Sequence, residues 1–146
     1  MLRFPLSLLL AAALAGCDFV GDETSGPVEG SLVVSVERIE ASGNIPALTL
    51  LRIETEEDYS CLLPLDASFD WEDRTLRADV RGLAQTDGCL AAIGPASAAL
   101  PLDLEDGAYT VELRHLGETD LYTLVVSEGA VRAEAVRASV SRLGPR

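Results

Sequence analysis

The chain contains no lysine and a single histidine, His115. The first absence removes Schiff-base and lysine-dependent acylation chemistry, and with it the phosphate-cradling Gly-x-x-x-x-Gly-Lys loop. The second leaves one residue through which a Ser-His-Asp site can operate, and no Gly-x-Ser-x-Gly elbow supplies its nucleophile. Three cysteines occur, Cys17, Cys61 and Cys89, with no Cys-x-x-Cys spacing for redox chemistry, and a closed tetrahedral nitrogen-sulfur zinc site cannot be assembled from the one histidine if two of these cysteines are bonded to each other. Long apolar runs are missing too. Leu6 to Leu14 is almost purely Leu and Ala, but it is about half the ~20 residues that a membrane-spanning helix needs. His115 is expected at a strand end, capped and exposed at the rim, opposite Tyr122 and close to the turn containing Asp120. The expectation is a protein with no catalytic residue, no metal and no cofactor.

What is present begins at the N-terminus. Arg3 is the one charge before the Leu/Ala run, small residues follow that run, and an acidic, glycine-containing stretch comes after Cys17. A short apolar run closed by small residues reads as a removable export signal. Within it, Leu14-Ala15-Gly16-Cys17 resembles the lipobox of bacterial lipoproteins. The resemblance implies a signal peptide over 1–16, a diacylglyceryl thioether on Cys17, and an acyl chain such as palmitate on its amine. It also implies a place on a bacterial cell-envelope membrane, facing the periplasm or the exterior. Two or more acyl chains anchor stably, because each buried methylene adds about 0.8 kcal/mol. The plainer alternative is an ordinary secretory signal that happens to precede a cysteine.

With Arg3 removed, ten of the eleven arginines face 24 carboxylates, a formal charge of 10 − 24 = −14. Nucleic acid is disfavoured as a partner, since its affinity comes mainly from basic groups that displace counterions. The acidic, lysine-free composition fits either codon bias or adaptation to high salt. Residues 17–30 read as a lipidated flexible tether, with Gly21, Gly26, Pro27 and Gly30 among the carboxylates. Cys61 and Cys89 are then an even pair in an exported protein, which predicts a disulfide between them; two buried free thiols are the alternative.

Residues 31–142 read as one all-β domain, an antiparallel β-sandwich of about eight short strands. In 109–115 the apolar face is Tyr109, Val111 and Leu113. Pairing 113 with 124 across a turn at 117–120 brings Tyr122, Leu124 and Val126 onto that face. A two-residue turn at Glu128-Gly129 then sets them opposite Ala135, Ala133 and Val131. Helix propensity alone would allow a terminal helix at 130–135, but only a strand keeps those three residues on one face. A turn at Asp73-Arg74 sets Phe69 and Trp71 opposite Ala78 and Leu76 as core pairs. Strands are also expected at 32–39 and 48–55, and Pro101 makes 96–104 an edge strand or a kink. Glu105-Asp106-Gly107-Ala108-Tyr109 resembles the tyrosine corner of immunoglobulin-like sandwiches, although Val111 stands where antibody domains place a cysteine.

Two carboxylate clusters, Glu54, Glu56, Glu57 and Asp58 and then Asp103, Glu105 and Asp106, have oxygen ligands for calcium but not the spacing of a helix-loop-helix calcium loop. Solvated turns account for them in so acidic a chain. The reading is a lipid-anchored, non-enzymatic binding or assembly module with a protein partner, presenting loops or an edge strand. The alternative is a small carboxylate-dependent hydrolase or a calcium-dependent sugar-binding domain.

Overall fold

The computed structural model describes residues 26–44, 46–86 and 90–145. Nine strands are present among them: β1 (Leu32–Ile39), β2 (Leu48–Tyr59), β3 (Leu65–Glu72), β4 (Thr75–Leu83), β5 (Gly94–Leu102), β6 (Gly107–His115), β7 (Glu118–Ser127), β8 (Ala130–Arg137) and β9 (Ser141–Leu143). They form a β-sandwich of two sheets, ordered β5-β2-β1-β9 and β3-β4-β6-β7-β8. Alternation builds each layer. Leu76, Ala78 and Val80 of β4 point inward while Thr75, Arg77 and Asp79 lie on the outer face. Leu32, Val34, Leu51, Ile53 and Ala96 of the first sheet meet Leu76, Val111, Leu113, Tyr122 and Leu124 of the second in one continuous core.

The sandwich is mixed, not antiparallel. β4 pairs with β6 in parallel, and β1 pairs with β9 in parallel. The cause is topological: after β4 the chain crosses to lay β5 in the opposite sheet and re-enters beside β4, and after β8 it crosses again so that β9 lies along β1. The ninth strand ties down the C-terminal segment, where Gly144 N–H donates to the Val34 carbonyl at 2.8 Å.

The Glu128-Gly129 turn and the pairs Val126–Val131, Leu124–Ala133 and Tyr122–Ala135 are as expected, and 130–137 is a strand. So are the pairs Phe69–Ala78 and Trp71–Leu76. The β6–β7 register differs by four residues: Leu113 faces Asp120, not Leu124. Leu116 and Gly117, with φ of 52° and 80°, close the hairpin by themselves, the positive-φ pair that suits a two-residue loop between twisted strands. A shift of four leaves every side chain on the face it had, so the apolar pattern is identical in both registers.

The folded domain also begins before residue 31, inside the expected tether. Val28 is a buried core residue, and Leu83 N–H donates to the Gly26 carbonyl at 2.8 Å. Gly82, at φ 153°, makes that crossing possible, since a Cβ there would stand 2.2 Å from the Gly26 oxygen. In β2 a bulge interrupts the pairing with β5 between Glu54 and Asp58. Buried Thr55 bridges it, its hydroxyl donating to the Glu57 carbonyl and accepting from Ala96 N–H.

Candidate functional site

His115 and Asp120, two residues that acid–base chemistry could recruit, are bonded within the sandwich. His115 is not at the rim but buried, 3% exposed. It pairs with Glu118 across the tight hairpin, and its ring lies inside, Nε2 3.1 Å from the Gly30 carbonyl and Nδ1 3.4 Å from the Val80 carbonyl. Each ring nitrogen faces a main-chain oxygen, and which of them donates depends on the tautomer. Among the described residues its hydrogen-bond partners are these two main-chain oxygens.

Asp120 is fully buried on the core face of β7, a position that the expected register would have left in a turn. Its Oδ1 accepts from Ser139 N–H at 2.7 Å and Ser139 Oγ at 2.8 Å, and its Oδ2 accepts from Val140 N–H at 3.0 Å and Ser141 Oγ at 2.5 Å. Because the Ser141 proton goes to Asp120, the Tyr122 hydroxyl, 2.5 Å from Ser141 Oγ, is the donor in that contact. Burial alone would raise the Asp120 carboxyl, but the hydrogen bonds from Ser141, Ser139 and the main chain at 139 and 140 outweigh it and hold the group below the ordinary carboxylate range. Burial, opposed by the Ser141 hydrogen bond and reinforced by the Asp120 charge, pushes the Tyr122 phenol up. This clasp fastens the crossing from β8 to β9. Its one signal in the sequence is an aspartate in phase with Tyr122, Leu124 and Val126 on an apolar face.

A second built feature stands where the tyrosine corner was expected. The Tyr109 hydroxyl donates to the Glu105 carbonyl at 3.0 Å. Trp71 packs edge-on to Tyr109 with centroids 6.0 Å apart, and the Arg74 guanidinium lies 5.2 Å from the Tyr109 ring centre. Trp71 is therefore not a core residue; it is 38% exposed, covering the corner from outside, while Phe69 packs partly buried against the core.

Three carboxylates of the acidic clusters have partners within the domain. Glu54 meets Arg52 at 3.6 Å, Glu56 takes a hydrogen bond from Arg142, and Asp106 accepts from Glu128 N–H at 3.2 Å. Among the described residues no group of three or more metal-ligating side chains converges.

The open side of the sandwich lies along β8. There a groove of about 430 Å³ separates Val131 and Ala133 of β8 from Val36 and Leu143 of the other sheet. Among the described residues β8 has a neighbouring strand on one side only.

Of the residues expected to carry lipid or a disulfide, Cys17 and Cys89 lie outside the described residues. Cys61 packs partly buried against the core just after β2. No family model, curated protein or solved structure matches the chain.

Proposed function

We propose that the protein is a lipid-anchored, non-enzymatic binding or assembly module of the bacterial cell envelope, a β-sandwich held to its membrane through Cys17. The observation that carries the non-enzymatic part is the bonding of His115 and Asp120, whose polar atoms are turned onto partners within the domain. The lipobox Leu14-Ala15-Gly16-Cys17 supports the anchor. The open β8 edge beside a groove of mixed lining supports recognition of a protein by strand addition.

A Cys61–Cys89 disulfide belongs to this reading, and the neighbouring contact between Leu62 N–H and the Leu90 carbonyl, at 3.1 Å, supports it by joining the two chain segments. The anchor is tested by Cys17→Ser. The expected outcome is loss of partitioning into detergent with an unchanged domain; a variant that partitions like the parent refutes the anchor. Peptide mapping without reduction reads the disulfide, and two free thiols in protein taken from the envelope would remove it from the reading.

A further inference from the structure

We infer that the partner of the open edge is a second copy of this chain, joined β8 to β8 in antiparallel register about a two-fold axis through Ala133, so that two five-stranded sheets become one of ten.

Main-chain geometry comes first. The residues flanking a two-residue hairpin loop form a hydrogen-bonded pair, here Ser127 and Ala130. Residues 130, 132 and 134 therefore turn their N–H and C=O groups toward β7, and Val131, Ala133 and Ala135 turn theirs outward. An antiparallel copy centred on Ala133 sets Ala133 against Ala133 and Val131 against Ala135, joining residues whose main-chain groups face each other.

The side chains select the same register. In it Arg132 of each copy stands opposite Glu134 of the other, in the closely spaced, non-hydrogen-bonded positions where side chains interact best. Both are exposed on the outer face, 3.1 Å apart within one strand. Sliding the copy by two residues either way sets Arg132 against Arg132 or Glu134 against Glu134, and sliding by one misaligns the main-chain groups.

The rest of the molecule points to this edge. A chain of formal charge −13 repels its own copies, but β8 carries Arg132 and Arg137 against the single Glu134. Edge strand β5 carries Pro95 and Pro101, which have no N–H to offer a new strand, and the approach to β3 is bridged to β5 through Pro64 and Ser97. A two-fold pairing closes after two copies and leaves no further β8 edge to extend.

This deepens the assembly reading by naming its partner, and it does not depend on the anchor. The test is the mass of the full chain in detergent, by light scattering or sedimentation, from about 1 μM to about 1 mM. The wild type is expected to dimerise reversibly. Arg132→Glu and Glu134→Arg should each weaken the dimer at least tenfold, and the double exchange should return it to within about threefold of wild type.

Ala133→Pro is a second probe: it removes an outward N–H while leaving the β7–β8 ladder whole, so it should abolish the dimer with the monomer still folded by circular dichroism. A wild type that stays monomeric throughout, or a double exchange as weak as the single ones, overturns the inference. The same series in a Cys17→Ser background separates it from the anchor, which fails only if that variant keeps to the membrane.

Discussion

Removing the Asp120 carboxylate should cost more stability than any other single exchange of similar size in the second sheet, and the cost should vanish in acid. In Asp120→Asn the shape is kept, and Oδ1 can still accept from Ser139 N–H and Ser139 Oγ. The new amide N–H₂, however, faces Val140 N–H, which then has no acceptor, and the Ser141 oxygen can accept from the amide only by turning its proton to Tyr122, which leaves the phenol proton without one. Leaving a buried donor unsatisfied costs about 1–3 kcal/mol, so with two such donors the exchange should cost about 2–6 kcal/mol at neutral pH, out of a total of about 5–15 kcal/mol.

The sign of the pH dependence follows from the carboxyl being held below its ordinary value in the folded state. Its contribution is complete above the unfolded value, about pH 4, and is lost as pH falls through the lower folded value. Urea unfolding of parent and variant at pH 7 and again at pH 2–3 measures both. Amide exchange should show where the damage starts, because Leu32 N–H, bonded to the Val140 carbonyl, and Gly144 N–H should lose protection first. An Asn variant within about 0.5 kcal/mol of the parent at pH 7, or an equal deficit at both pH values, would refute the clasp.

Three further substitutions probe separate parts of the fold. Leu116→Asn should raise stability by about 0.5–1 kcal/mol in urea titration, because asparagine accepts the positive φ that leucine now adopts before Gly117; a loss would contradict the two-residue hairpin. Gly82→Ala should lower stability by about 2 kcal/mol or more and expose the segment around Val28 to proteolysis, since its Cβ meets the Gly26 oxygen. Tyr109→Phe should cost about 1 kcal/mol for the lost bond to Glu105, and an unchanged unfolding midpoint would mean the corner is ornamental.

Strand identity and facing were legible in the residues themselves, because a period of two is written locally. Phe69 and Trp71 over Ala78 and Leu76, and Val126, Leu124 and Tyr122 over Val131, Ala133 and Ala135, follow from alternation plus a two-residue turn. The same period cannot register a shift of four, so the Leu116-Gly117 hairpin and the opposition of Leu113 to Asp120 became visible only in three dimensions. Strand direction is equally invisible to alternation: that β6 runs parallel to β4 and β9 parallel to β1 depends on where the chain crosses between sheets.

Those crossings then decide the polar interior. His115 is buried because Gly30 and Val80 bring carbonyls to it from distant parts of the chain, and Asp120 is tolerated in the core because the turn into β9 delivers four donors to its two oxygens. Apolar patterning reports what a side chain avoids, which is water. What a buried polar group is bonded to is a property of long-range neighbours, and only the tertiary structure supplies them.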